Sequence, residues 1–298
     1  MLVSRSNLLI RGLRPAAFEA AASTAADAVT FDLAAPETHL ERAGLRQLAA
    51  KHAPLIARRG RGVHVRVADT RSGELEADLE ALVSASVTAV LLSGAEEPQD
   101  VRDADIAIRQ REMRRKIEPG HVRLIPEIDS AAGLRALPRI IETVDRHGGV
   151  ALNIEALAHD FGITGTPTIS MALFEHAMAD VALEAHAAGL PWLLLAPHAD
   201  QGARAVLANR AHALGAAGVY VGSEGEAGGF RQLFTPHQDE VATARAMLDE
   251  WERVRTAEEW VGTVDGELVD RRSVRRARRV VALAAAIQSS DRARTRGR

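Results

Sequence analysis

Acidic side chains follow two short apolar runs near the middle of the chain, 122–125 and 150–152. Glu127 and Asp129 come after the first run and Glu155 after the second. The segment between the runs has helical period, so the pattern predicts a buried strand, a helix and a second buried strand. Parallel strands with a helical crossover end at the same edge of a sheet, and α/β proteins place their chemistry there. The acidic groups are therefore candidates for a functional site.

Asp32 and Arg66 lie at the ends of two other predicted strands, and Asn153 follows the second apolar run. Carboxylates converging at one edge could hold a hard cation such as Mg²⁺, which could polarise a carbonyl and stabilise an enolate. Arg66 could bind a substrate carboxylate through two hydrogen bonds. An alternative interpretation makes Asp32 and Arg66 an ion pair inside a barrel and leaves the acidic groups to cap helices.

A glycine-rich stretch, VGSEGEAGGF, spans 221–230. Such a loop after the last strand of a barrel can bind phosphate through its backbone N–H groups. We therefore assign Gly222 and Ser223 as candidate substrate-binding residues, although Glu224 and Glu226 would repel phosphate and favour a flexible connector. His198 is either an acid or base, or a loop histidine without a catalytic role.

Composition excludes several classes of protein. The chain has 298 residues, 47% of them hydrophobic, and a net charge of −3, so it can bury a large core and shows no preference for polyanions. The 3% aromatic content argues against a nucleic-acid platform. There are no cysteines, no apolar run of membrane-spanning length and no signal-peptide core, so we expect a soluble cytoplasmic protein without nucleic-acid or membrane partners.

Strand and helix patterns alternate eight times, which predicts a (β/α)8 barrel, with a doubly wound sheet as the alternative. The predicted strands are 7–10, 29–33, 62–67, 88–92, 122–125, 150–152, 191–196 and 218–221. The barrel should occupy 1–235, and 236–298 should form a helical extension that packs on a neighbouring subunit in a homo-oligomer.

Two helix ends are predicted from local signals. A helix from about residue 38 should stop at His52, before Pro54. The last helix should end near Ile287 and be followed by a frayed basic tail. Its six clustered arginines are read as a solvated helix face rather than a nucleic-acid patch.

Several segments resemble the citrate lyase beta subunit-like proteins of the HpcH/HpaI aldolase family. The similar segments include RSNLLIRGLRP, LIPEIDSAAGL, NIEALAHDFG and GGFRQLFTPHQDEVATARAML. The resemblance spans nearly the whole chain. It implies a Mg²⁺-dependent barrel that cleaves or forms carbon–carbon bonds in small carboxylate or acyl-CoA substrates.

The chain departs from the family pattern at most of the site positions. Asp129 stands where the family has a metal-binding glutamate, and Ala156 stands where it has a metal-binding aspartate. In a rearranged site Asp129 and Glu155 would hold Mg²⁺ or act as acid and base, and we assign Arg66, Asp32 and Glu127 as candidate catalytic residues.

Three hypotheses remain open. The chain is a lyase or aldolase with a rearranged site, a non-catalytic barrel retained as a binding or regulatory subunit, or an enzyme with different chemistry on the same fold.

Overall fold

The computed structural model describes residues 3–35, 38–163, 171–196, 199–257 and 261–296. Within them, eight parallel strands pair in chain order, and the last pairs with the first to close a barrel. The strands are β1 Ser6–Ile10, β2 Ala28–Asp32, β3 Gly62–Val67, β4 Ala89–Leu92, β5 Arg123–Ile128, β6 Val150–Asn153, β7 Trp192–Leu195 and β8 Gly218–Val221. The predicted (β/α)8 barrel is confirmed.

Helices follow the strands on the outside of the barrel. They are α1 Pro15–Ala21, α2 His39–Arg58, α3 Leu75–Leu82, α4 Pro98–Arg114, α5 Ala131–Ile141, α6 Ile154–Asp160, α7 Met171–Ala187, α8 Gln201–Ala213 and α9 Glu224–Leu233. None of the described helices is both long and apolar enough to cross a bilayer.

The barrel has two hydrophobic cores, one on each face of its sheet. Side chains alternate along each strand, so one set faces the helices and the other faces the barrel interior. The larger cluster fills the space between strands and helices. A smaller interior cluster consists of Leu9, Ala89, Leu91, Ile125, Ala151, Leu193, Leu195 and Tyr220. This packed interior leaves chemistry to the strand ends.

The predicted end of α2 at His52 is wrong, because the helix continues through Pro54 to Arg58. Proline removes one backbone donor and disfavours helical backbone in the preceding residue. The residues on either side, Ala53 and Ile56, are buried in the outer core. Burial of this helix face therefore outweighs the local preference of proline.

The glycine-rich stretch is a helix rather than the predicted loop, since α9 begins at Glu224. Acidic residues in a first turn interact favourably with the helix dipole, and both Glu224 and Glu226 lie there. Ala227 and Phe230 are buried in the outer core. These contributions offset the cost of the helical glycines.

A C-terminal extension follows α9. It contains α10 Gln238–Thr256, the antiparallel pair β9 Gly262–Val264 and β10 Glu267–Val269, and α11 Arg271–Arg296. The extension has a small core of its own around Met247, Val269 and Val274. The predicted frayed tail is wrong, because α11 continues to Arg296 and Arg294 is buried.

Candidate active site

Arg66 lies at the centre of the polar groups at the barrel mouth. Its Nε and one terminal nitrogen donate to the two carboxylate oxygens of Glu127, at 2.7 and 2.8 Å. The other terminal nitrogen donates to Asp32 Oδ1 at 2.9 Å. The structure thus brings together the three predicted catalytic residues, and it contains the interior ion pair of the alternative interpretation.

Neighbouring strand ends complete the hydrogen bonds of this ion network. Asn153 Nδ2 donates to Glu127 at 2.7 Å, and Arg66 also donates to Ser93 Oγ at 3.1 Å. Asn153 has a second role, since its Oδ1 accepts from the Ala156 N–H at 3.1 Å and caps α6. The amide therefore connects the network to the start of a helix.

Charge inside the network is nearly balanced. The Glu127 and Asp32 side chains are 0% and 2% exposed, and Arg11 Nε lies 3.5 Å from Asp32 Oδ2. Burial alone would lower the pKa of Arg66, but the carboxylates of Glu127 and Asp32 raise it well above its ordinary value. Arg66 is therefore a permanent cation whose donors are engaged within the protein.

Asp129 occupies a different electrostatic environment. Its Oδ2 accepts from the Gly94 N–H at 2.9 Å and lies 3.4 Å from Ser93 Oγ. Burial, together with the negative charge of Glu127, raises the pKa of Asp129 to about 6. Asp129 can therefore exchange a proton close to neutral pH, which suits a general acid or base.

Glu155, the second predicted metal ligand, makes its contact elsewhere. It lies in the first turn of α6, and its carboxylate accepts from the Ala199 N–H in the segment before α8. Within the described residues, no group of three or more acidic or histidine side chains could hold a metal ion. Metal binding by Asp129 and Glu155 stays a prediction.

Gly222 and Ser223 lie beside a cleft of about 220 Å³ that opens between β1, α1 and the start of α9. Arg11 and Arg14 line the same cleft. Ser223 Oγ donates to Glu226 at 2.8 Å, and Glu226 also forms an ion pair with Arg204. The two predicted substrate-binding residues therefore adjoin a basic cleft, and Arg11 of this cleft lies 3.5 Å from Asp32 of the interior ion network. Their role is still a prediction.

Sequence reasoning assigned no role in the site to Arg11, Ser93 or Tyr220. Arg11 and Ser93 each come directly after a strand, so position at a strand end could have identified them. Tyr220 lies within β8 and gave no separate signal. His198, the proposed acid or base, lies outside the described residues.

This chain is a closed parallel barrel with arginines and carboxylates at the carboxyl ends of its strands. It is therefore a (β/α)8 protein, a class whose sites lie at that face of the barrel. The family profile described as HpcH/HpaI aldolase/citrate lyase matches residues 5–226. The chain belongs to this family.

The similarity to individual relatives extends over nearly the full length of the chain. The chain is 27% identical over 285 residues to the citrate lyase subunit beta of Escherichia coli K12, covering 94% of this chain and 93% of the relative. CitE from Mycobacterium tuberculosis, in complex with magnesium, acetoacetate and coenzyme A, has a TM-score of 0.69 at 21% identity, covering 95% and 98% of the two chains. A citrate lyase from Burkholderia xenovorans LB400 has a TM-score of 0.76 at 17% identity, covering 97% and 93%. At these identities the two structural likenesses show the shared fold.

Proposed function

We propose that this chain is a citrate lyase beta-like barrel that binds a small carboxylate or acyl-CoA ligand without magnesium-dependent carbon–carbon cleavage. The observation that carries the proposal is the set of hydrogen bonds that Arg66 makes within the protein. Its Nε and one terminal nitrogen donate to the two oxygens of Glu127, and its other terminal nitrogen donates to Asp32. A substrate carboxylate would have to displace buried carboxylates that are already paired with the guanidinium.

The family resemblance implies a magnesium ion, but the residues at the barrel mouth do not fit one. Mg²⁺ requires near-octahedral oxygen coordination, commonly through one or two carboxylates and several waters. Both oxygens of Glu127 already accept hydrogen bonds from Arg66, and one accepts from Asn153 as well. Alanine at position 156 offers no side-chain oxygen. Glu127 and position 156 therefore supply no free carboxylate to a magnesium ion.

The basic cleft supports binding of an anionic ligand. Arg14 is exposed in this cleft and has no ion pair within the described part of the chain. The N-terminus of α9 begins beside Gly222 and Ser223, and a helix N-terminus favours anions. The similar CitE structure contains coenzyme A, which makes a phosphate-bearing acyl-CoA the ligand class to test first. Glu224 borders the cleft, but its carboxylate accepts from the Thr24 hydroxyl and the Ala25 N–H.

A second candidate, a metal-independent lyase, is favoured by the proton affinity of Asp129. With its pKa raised to about 6, Asp129 would accept a proton from a substrate β-hydroxyl at neutral pH. As the hydroxyl becomes a carbonyl, the carbon–carbon bond would break, and its electron pair would pass to the enolate of the acyl fragment.

Calorimetric titration with coenzyme A and acetyl-CoA tests the binding proposal. We expect saturable binding that weakens at least about tenfold in Arg14→Ala, the loss of one charge-assisted contact. The matched control Arg292→Ala removes an exposed arginine of α11 and should bind normally. If neither coenzyme A nor acetyl-CoA binds at millimolar concentration, the proposal is contradicted.

Thermal scans and activity assays test the catalytic part. The melting temperature should be the same in millimolar Mg²⁺ and in EDTA, because a ligand raises it only by binding the folded state. A panel of 3-hydroxyacyl-CoA esters should not be cleaved. Turnover that requires Mg²⁺ would overturn the proposal. Turnover in EDTA that Asp129→Asn abolishes would establish the second candidate instead.

A further inference from the structure

The barrel interior has an apolar half and a polar half. The apolar half is formed largely by residues of β4 to β7, such as Leu91, Ile125 and Leu193. The polar half carries Asn7, Thr30, His64 and Tyr220 on the adjacent strands β1, β2, β3 and β8, and each of these residues is at most 1% exposed.

Each of these four side chains has a buried polar atom that no described protein group contacts by a hydrogen bond. The atoms are Asn7 Oδ1, Thr30 Oγ1, His64 Nδ1 and the Tyr220 hydroxyl. A buried polar atom without a partner is strongly destabilising, so four of them would remove a large share of a domain's net stability. A stable barrel therefore requires partners for them.

Strand register places the four residues in two facing pairs on four consecutive strands of the closed barrel. Asn7 is opposite Tyr220 across β1 and β8, and Thr30 is opposite His64 across β2 and β3. Neighbouring strands lie about 4.8 Å apart, so these side chains share one region of the interior. Ala28 and Ala89 occupy positions on the same rungs, beside Asn7 and His64. Alanine at these two positions adds little side-chain volume beside Asn7 and His64.

We propose that the polar half of the barrel interior is a binding site for a small cluster of ordered water molecules. A buried water typically makes about three hydrogen bonds to otherwise unpaired polar groups, and the four atoms supply both donors and acceptors. The Tyr220 hydroxyl donates, and the oxygens of Asn7 and Thr30 accept. The cluster lies below the Arg66–Glu127 network, on the side of Tyr220.

Electrostatics agree with this placement. Burial lowers the pKa of His64 to about 4, so at neutral pH its ring is uncharged and offers one donor and one acceptor. Burial and then the charge of Glu127 raise the pKa of Tyr220, so the hydroxyl lies within range of the network and remains a donor. Neutral water is therefore the partner these groups fit, rather than an ion.

A crystal structure at about 1.5 Å resolution tests the site directly. We expect ordered solvent within about 2.6–3.2 Å of the four named atoms. A direct hydrogen bond between Thr30 Oγ1 and His64 Nδ1, with no solvent density beside Asn7 and Tyr220, would overturn the proposal.

A double-mutant cycle supplies a second test. Thr30 and Tyr220 lie on strands separated by β1, so a shared water cluster should make the melting-temperature shifts of Thr30→Val and Tyr220→Phe non-additive. The control cycle pairs Thr30→Val with Ile125→Val in the apolar half and should be additive. Additive shifts in both cycles would count against a shared cluster.

Discussion

At the residue scale, Asp129 and Glu127 show how two neighbouring carboxylates acquire different chemistry. Glu127 is fully buried, but it is paired with Arg66 and Asn153. Asp129 is hydrogen-bonded to the Gly94 N–H and lacks an ion pair in the described structure. Burial disfavours the charged form unless an opposite charge compensates it. The proton-exchanging group is therefore Asp129.

This difference predicts a pH-dependent effect of Asp129→Asn on stability. Folded Asp129 keeps its proton up to about pH 6, whereas the unfolded chain releases it near pH 4. The folded state therefore binds more protons between these values, and this group's contribution to stability falls as pH rises through that window. Removing the charge should stabilise the protein above pH 7, by at most about 3 kcal/mol, and should have no such effect below pH 4.

Urea denaturation at pH 4, 6 and 8 measures the Asp129 effect. The exposed acid Asp249 on α10 provides the control, because Asp249→Asn should leave the profile unchanged. A constant difference between Asp129→Asn and wild type at all three pH values would contradict the assignment.

At the element scale, α9 shows that glycine content alone does not make a loop. Gly228 and Gly229 lie on its exposed side, and a Cβ added at either would meet nothing within 4 Å. Gly218, in β8, is different, since a Cβ there would lie 1.8 Å from the Ser4 carbonyl oxygen. The same residue type is therefore replaceable in the helix and required in the strand.

Alanine substitutions should separate these two uses of glycine. Gly228→Ala and Gly229→Ala should each stabilise the protein by about 0.5–1 kcal/mol, because alanine has the higher helix propensity. Gly218→Ala should destabilise it, because the backbone of the neighbouring segment would have to move. Chemical denaturation of the three variants checks both signs, and destabilisation by either helical variant would show that the segment is not a helix in solution.

At the scale of the whole molecule, Asp27 joins the two ends of the chain beneath the barrel. Arg5 donates to both of its carboxylate oxygens at 2.8 and 2.9 Å, and Arg294 of α11 donates to it at 3.2 Å. Arg231 of α9 lies 3.0 Å from the same carboxylate. Gly60 approaches α11 so closely that a Cβ would lie 2.7 Å from the Ala293 backbone. The last turn of α11 is thus fixed to the barrel.

Removing the buried arginine should release the end of α11. Arg294 also donates to the carbonyl oxygens of Thr24 and Ala25, so Arg294→Gln should destabilise the protein by about 1–3 kcal/mol and speed tryptic cleavage within α11. Arg292→Gln, an exposed neighbour, should change stability by less than about 0.5 kcal/mol. Equal effects of the two substitutions on urea denaturation and proteolysis would refute this role.

The homo-oligomer expected from the sequence is independent of this contact. Sedimentation of the purified protein would measure the number of subunits.

Sequence by itself determined the barrel and the positions of its polar strand ends, since both depend on local alternation of apolar and polar residues. It placed Asp32, Arg66 and Glu127 at one edge, where the structure has them. Tertiary structure alone decided their partners. Arg66 on β3 and Glu127 on β5 are separated by β4, and barrel closure brings their side chains together across the interior. Arg294 reaches Asp27 across 267 positions. Such contacts depend on long-range packing, which also overrode the local signals of Pro54 and of the glycines in α9.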